Sequence, residues 1–201
     1  IGLRISMNNA QFSHFFFFSA CPTPQEGLCP AIIAIPACNE EDRISRCLSA
    51  LAVQRDDRGQ RIPLDSYQVL VYANNCTDGT VARAERIGEQ TGLRLEVLSV
   101  PRSAELSSAG LARKAAMDIA ADRLEMAGLA AGIILTTDAD SMVSPLWLAN
   151  CWREFSRGAD CVAGYIDADP HEFVELGLNF QRRGFLEEHY HALVAEIFAL
   201  L

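Results

Sequence analysis

The segment IILTTDADS, residues 133–141, places two carboxylates directly after an apolar run. Ile133 to Thr137 has the length and composition of a strand buried on both faces. Asp138 and Asp140 follow at its carboxyl end, where two acids one residue apart repel each other unless a positive charge lies between them. A divalent cation, Mn²⁺ or Mg²⁺, would bind both carboxylates together with diphosphate oxygens. The alternative is an Asp-rich turn that caps a helix beginning near Ser144.

Three strand-helix units are predicted before this segment. The runs Ala31 to Ile35, Tyr67 to Tyr72 and Leu93 to Leu98 have strand length, and Pro36 is expected to end the first. The clearest helical stripe has apolar residues at i, i+3, i+4, i+7 and i+8, namely Ile44, Cys47, Leu48, Leu51 and Ala52. This alternation predicts an α/β fold whose mostly parallel central sheet has helices on both faces, as in a Rossmann-like nucleotide-binding half.

Helix starts are predicted from capping residues. Asn39 is expected to cap the first helix, whose first turn would carry residues 40–42, all acidic. The second helix should run from about Thr80 to Gln90. Ser144 and Pro145 are the expected N-cap and first residue of the fourth helix. A third helix is indicated by an inner face of Ala112, Ala115, Ala116, Ile119 and Ala120.

The ends of the chain differ from this regular part. Residues 1–29 show no clear period and are expected to form an N-terminal extension, with one domain over residues 30–201. A fifth strand is predicted at Cys161 to Ile166, and the remainder should be largely helical. Because the sequence stops at Leu201 within an apolar helical pattern, we expect the domain to be incomplete at its C-terminus.

Two further loops follow predicted strands. The loop PACNEE, residues 36–41, comes after the first strand, and NNCTDGT, residues 74–80, comes after the second. Each has a purely structural alternative, since the first could be an acidic helix start and Asp78 or Thr77 could cap the next helix. In parallel sheets ligands bind beyond the carboxyl ends of the strands. All three loops are therefore expected at one edge of the sheet.

The composition limits the partners. With 26 acidic and 17 basic residues, the net charge of −9 disfavours nucleic acid and anionic lipid. No apolar run approaches the roughly 20 residues of a spanning helix, so no transmembrane segment is expected. An odd number of cysteines without a C-x-x-C pair favours buried free thiols and a reducing, cytoplasmic location. They are Cys21, Cys29, Cys38, Cys47, Cys76, Cys151 and Cys161.

Taken in order, the three loops resemble those of family 2 glycosyltransferases, which have the GT-A fold. The family pattern is a strand ending in P-A-x-N-E-E, a loop similar to D-G-S-T-D-G-T, and then D-x-D, and the resemblance covers about residues 30–170. Residues 108–116, with Gly110 and Arg113, are similar to the family's helix before the D-x-D strand. The resemblance implies a hexosyltransferase-type enzyme that uses a nucleoside-diphosphate sugar, a divalent cation and an unknown acceptor hydroxyl, with inversion.

The resemblance also implies roles for single residues. Asp138 and Asp140 would be the catalytic acids that hold ribose, diphosphate and metal, with Asp140 the more direct metal ligand. The nucleotide-sugar site would include Pro36, Ala37, Cys38, Glu40, Asn74, Arg113, Asp138 and Ala139.

Some positions depart from the family pattern. Cys38 stands where an aromatic residue is common, and Asn74 stands where an Asp usually reads the base, which leaves the donor base open. No residue matches the family's general base. Glu187 and Glu188 are weak candidates, so the base is expected beyond Leu201, and this chain would bind donor without transferring sugar.

Two other function classes remain open from the sequence. A phosphatase of the haloacid dehalogenase type would use Asp138 as nucleophile and Asp140 as general acid, although that motif usually follows the first strand of its domain. A non-catalytic module that binds nucleotide sugars would keep the fold without the base. A dinucleotide-binding fold is disfavoured because no G-x-G-x-x-G follows the first strand.

Overall fold

The computed structural model describes residues 30–101, 108–129, 131–164, 177–178, 182–186 and 189–190. The named strands in these ranges are β1 (Ala31–Ala37), β2 (Tyr67–Asn74), β3 (Leu95–Val100) and β4 (Ile133–Thr136). The named helices are α1 (Ile44–Ala52), α2 (Thr80–Thr91), α3 (Ala109–Met126) and α4 (Trp147–Ser156).

The strands form one parallel sheet in the order β3-β2-β1-β4. The chain moves outward from β1 to β2 and β3, and α3 then returns it to the other side of β1. The strand order therefore reverses between β1 and β4, the position where open α/β sheets bind ligands. The predicted α/β class and mostly parallel sheet are confirmed.

Helices cover both faces of this sheet. Along β1, Ile33 and Ile35 pack in the cluster that includes residues of α1 and α4. The alternate residues Ile32 and Ala34 pack with α3. All five residues of the predicted α1 stripe are buried, so the 3.6-residue spacing identified the inner face correctly.

The prediction that Pro36 ends the first strand is wrong. β1 continues through Pro36 to Ala37 and pairs with β2 along its whole length. Its pairing with β4 stops at Ala34 and Thr136, so Pro36 has a strand on only one side. A proline, which lacks an N–H, is tolerated at such a position because no second ladder requires one.

Two predicted helix starts are also wrong. α1 begins at Ile44 rather than directly after Asn39, whose φ of 58° is left-handed. The acidic residues 40–42 therefore precede the helix. α4 begins at Trp147 with Leu146 as its N-cap, so Ser144 and Pro145 lie before the helix. At α4 a long-range hydrogen bond from the Leu148 N–H to Gln54 takes the place of the expected local cap, whereas no side chain caps α1.

The chain divides into two compact units, Ile1–Asp160 and Cys161–Leu201. In the second unit, residues 178, 182–186 and 189–190 are helical, whereas residues 161–164 are not a strand. The predicted strand at Cys161 to Ile166 is thus wrong in its first four residues, and its last two lie outside the described residues, as do residues 1–29. Among the described residues, no helix has the length and apolar character needed to span a bilayer.

Candidate functional site

Three loops leave the carboxyl edge of the sheet. Loop A is residues 38–43 after β1, loop B is residues 75–79 after β2, and loop C is residues 137–146 after β4. Every residue predicted for the site lies in loop A, in loop C, at the carboxyl ends of β1 and β2, or in the first turns of α3. The positions of these elements follow from the parallel topology.

Loops A and B are joined by side-chain hydrogen bonds to backbone groups. The Asn39 side-chain oxygen accepts from the Thr77 N–H at 2.8 Å. The Glu41 carboxylate accepts from the Gly79 N–H at 2.9 Å, directly before α2. A Cβ on Gly79 would lie 2.5 Å from a Glu41 oxygen, so a larger residue there would displace the Glu41 carboxylate. Asn39 and Glu41 thus act across the two loops and not on α1.

A second group of hydrogen bonds centres on Thr80, the first residue of α2. Its hydroxyl accepts from the Glu40 N–H at 2.8 Å and donates to the Asp78 carboxylate at 2.5 Å. Asp78 also accepts from the Thr80 N–H at 3.0 Å and from the Glu41 N–H at 3.2 Å. Slight desolvation raises the pKa of Asp78, but the bonds from Thr80 and Glu41 outweigh it and hold the pKa below its ordinary value. Gly79 is the N-cap of α2, but Asp78 just before it accepts from the first N–H of the helix and also holds loop A.

The two acids of loop C are held by arginines. Arg113 of α3 forms an ion pair with Asp138. Arg43 of loop A lies 3.8 Å from an oxygen of Asp140, and its Nε lies 2.8 Å from a carboxylate oxygen of Glu40. Nearly half of each loop C carboxylate remains exposed, 47% for Asp138 and 46% for Asp140. Loops A and C therefore converge, and both acids stay accessible.

The negative charge of this edge changes the titration of neighbouring groups. Desolvation is the largest cause that raises the pKa of Glu40; Arg43 opposes it, and the charge of Asp140 adds to it. Burial, with the charges of Asp140 and Asp138, raises the pKa of Cys47 to about 12. The Cys47 thiol donates to the Asp138 carbonyl oxygen at 3.4 Å, so this residue of α1 stabilises the backbone of loop C.

The remaining predicted residues differ in exposure. Ala37 and Ala139 are buried, 3% exposed each, so they shape the edge through their backbone. Asn74 is the last residue of β2 and is 4% exposed. Cys38 is exposed in loop A.

Gln54, two residues after the end of α1, supports loop C and was not predicted. Its side chain is fully buried and donates to the Ser144 carbonyl oxygen at 2.9 Å. Its carbonyl oxygen accepts from the Leu148 N–H, also at 2.9 Å, which satisfies an N–H in the first turn of α4. Gln54 thus performs the capping that Ser144 was expected to provide. The only sequence signal was a polar residue just beyond an apolar stripe.

The acids of loop C fit a hard divalent cation. Mg²⁺ is usually held by one or two carboxylates, with phosphates and waters completing the octahedron. The two half-exposed carboxylates meet that need, although the described residues hold no group of three or more candidate metal ligands. The neighbouring arginines supply positive charge to the same carboxylates. The set therefore fits a cation that arrives with a diphosphate.

A known family matches most of the chain. Residues 32–196 match the family described as glycosyl transferase family 2. The chain belongs to this family. Membership decides against the phosphatase alternative and confirms the resemblance drawn from the three loops. No curated protein matches the chain.

Several solved structures are similar to the chain. TarS from S. aureus, residues 1–349 in complex with UDP, is 22% identical over 64% of this chain and 32% of that one, with a TM-score of 0.49. The same TarS fragment with UDP-GlcNAc has 22% identity, 64% and 30% coverage and a TM-score of 0.44. Mannosyltransferase PcManGT from Pyrobaculum calidifontis, in complex with GDP-Man and Mn²⁺, has 23% identity, 56% and 28% coverage and a TM-score of 0.39. Our chain thus spans about a third of the length of these solved structures.

Proposed function

We propose that this chain is the donor-binding part of an inverting hexosyltransferase that acts on a nucleoside-diphosphate sugar with a divalent cation. The observation that carries the proposal is the convergence of loops A and C. One guanidinium, that of Arg43, reaches both Glu40 and Asp140. The nucleoside-side loop and the acidic loop therefore lie side by side at the switch point of the sheet, and we propose that they border one crevice.

The nucleoside would lie between loops A and B. Backbone groups of Pro36 to Glu40 would line it on one side and the end of β2 at Asn74 on the other. The interloop hydrogen bonds fix this side before ligand arrives. A preformed site is expected to bind with a smaller ordering cost.

The diphosphate would lie against loop C. Asp138, oriented by Arg113, would accept from the ribose hydroxyls, and Asp140 would be the direct metal ligand. A divalent cation at this position supplies Lewis-acid stabilisation of charge on the departing diphosphate. The net charge of −9 supports a role for such a cation, because it would repel a diphosphate on its own.

Transfer itself needs an acceptor hydroxyl that attacks the anomeric carbon opposite the leaving diphosphate, which inverts the configuration. We assign no general base among the described residues. Glu187 and Glu188, the candidates from the sequence, lie outside them.

We infer a cytoplasmic location from the cysteine pattern.

A donor-turnover assay tests the proposal. The chain is incubated with Mn²⁺ and UDP-, GDP- and ADP-sugars, and binding and slow release of nucleoside diphosphate are followed by NMR. We expect at least one donor to bind with metal dependence, and Asp138→Asn to weaken it, whereas Asp118→Asn on the exposed side of α3 should not. Hydrolysis of an aryl phosphate that is lost in Asp138→Asn, without donor binding, would contradict the proposal.

A further inference from the structure

The Cys76 sulfur of loop B lies against the backbone on both sides of Cys38. It donates to the Ala37 carbonyl oxygen at 3.5 Å. The Asn39 N–H in turn donates to the same sulfur. Ala37 and Asn39 flank Cys38 in the chain, so the sulfur of Cys76 contacts the peptide groups before and after that residue.

Standard peptide geometry limits the separation of the two cysteines. A carbonyl oxygen lies about 2.8 Å from the Cα of the next residue. The Cys76 sulfur is therefore within about 6.3 Å of the Cys38 Cα, since it is 3.5 Å from the Ala37 oxygen. A cysteine sulfur lies about 2.8 Å from its own Cα, so the bond needs a turn of the Cys38 side chain together with a movement of loop A that brings the two sulfur atoms together.

The two thiols differ in exposure in a way that suits stepwise oxidation. Cys38 is exposed, whereas Cys76 is half-buried. Burial is the largest cause that raises the pKa of Cys76, and the charge of Cys38 adds to it. Cys38 can thus meet an oxidant from solvent while Cys76 waits as a thiol beside it. The other thiols of the described first unit, Cys47 and Cys151, are buried.

We propose that Cys38 and Cys76 are a modification site, at which hydrogen peroxide drives formation of a disulfide that links loop A to loop B. The Cys38 thiolate attacks one peroxide oxygen, the O–O bond breaks, and water leaves after protonation. The resulting sulfenic acid has its sulfur attacked by Cys76, and a second water leaves. In sum, two thiols and one peroxide give one disulfide and two waters.

The bond would alter the nucleoside side of the site. To reach Cys38, the Cys76 sulfur must leave the Ala37 oxygen and the Asn39 N–H, and loop A must shift at the position where the base is proposed to lie. We expect nucleoside diphosphate affinity to fall about tenfold. This consequence rests on the proposed function, whereas disulfide formation does not.

Peptide mapping after peroxide treatment tests the site. The full chain is treated with graded peroxide, alkylated, digested without reduction and analysed by mass spectrometry. We expect a Cys38–Cys76 linked peptide two mass units lighter than the two thiol peptides, formed at lower peroxide than any other link. Cys38→Ser and Cys76→Ser should each remove it, and Cys161→Ser, at another exposed thiol, should leave it.

Two results would overturn the inference. One is oxidation of Cys38 to sulfinic acid with no link to Cys76; the other is a mixture of cysteine links in similar yield. A linked peptide with unchanged nucleotide affinity would retain the disulfide and reject its effect on the donor site. Dithiothreitol should restore both the thiols and the affinity.

Discussion

Loops A and B are held together by hydrogen bonds to backbone groups, whereas the two carboxylates of loop C are paired by charge. Asn39, Glu41 and Asp78 each accept backbone N–H groups across the first two loops. Asp138 and Asp140 instead face guanidinium groups and remain nearly half exposed. Hydrogen bonds to fixed backbone groups define a shape, while an exposed ion pair is weak and can be exchanged. One side of the crevice is therefore preformed, and the other can exchange an arginine for another cation.

The largest effect is expected where charge alone binds the ligand. Asp140→Ala removes a direct ligand of the proposed cation, so the affinity for a nucleoside diphosphate in Mn²⁺ should fall about 100-fold, or roughly 2.7 kcal/mol. Isothermal calorimetry measures this affinity. The melting temperature should be unchanged, and Asp118→Ala serves as a control for the charge. Equal affinity of Asp140→Ala and the unaltered chain would show that loop C does not bind the ligand through a cation at Asp140.

Loss of an interloop bond should act on stability instead. Glu41→Ala leaves the Gly79 N–H at the start of α2 without its acceptor, and we expect the free energy of unfolding to fall by about 1 kcal/mol. Urea denaturation measures the change. Glu41→Gln, which keeps an acceptor oxygen, should recover most of it. A Glu41→Ala variant as stable as the unaltered chain would mean that loops A and B are not held in this way.

Arg43 should affect the affinity for metal and leave stability nearly unchanged. In Arg43→Gln a positive charge beside Asp140 is removed, so Mn²⁺ without nucleotide should bind about threefold more tightly, or roughly 0.6 kcal/mol. Electron paramagnetic resonance of free Mn²⁺ reports the affinity. Arg153→Gln, which removes the same charge from the ion pair with Asp57, is the matched control. Weaker Mn²⁺ binding in Arg43→Gln would show that this arginine does not compete for the acid.

The smallest effect concerns pH. Because the pKa of Asp78 is lowered in the folded chain, its carboxylate stabilises the fold above the ordinary Asp pKa. That contribution is lost as the pH falls through the lowered value. The difference in stability between the unaltered chain and Asp78→Asn should therefore be present at pH 6 and shrink below about pH 4. A difference that grows with acid would contradict the assignment.

Sequence periodicity was sufficient for the eight named elements but not for their ends, and it wrongly predicted a strand from Cys161. The α1 stripe from Ile44 to Ala52 was identified residue by residue because burial follows the 3.6-residue repeat. The strand end predicted at Pro36 and the helix cap predicted at Asn39 were wrong. The first depends on where β4 stops pairing and the second on a hydrogen bond from Thr77, and both partners lie far away in the chain.

The candidate site shows the same limit. Asp138 and Asp140 were found because two acids after a buried strand are informative by themselves. Arg43 and Gln54 were missed, since an exposed arginine and a polar residue after a helix have no local signature. Their roles arise from contacts with residues about 90 positions away.

The most direct measurement of the central claim is a calorimetric titration of the unaltered chain with UDP and GDP, in Mn²⁺ and in EDTA. We predict that at least one of them binds in Mn²⁺ and that chelation weakens this binding at least tenfold. Equal affinity in the two conditions, or no binding of either nucleotide in Mn²⁺, would contradict a cation-bridged diphosphate at Asp138 and Asp140.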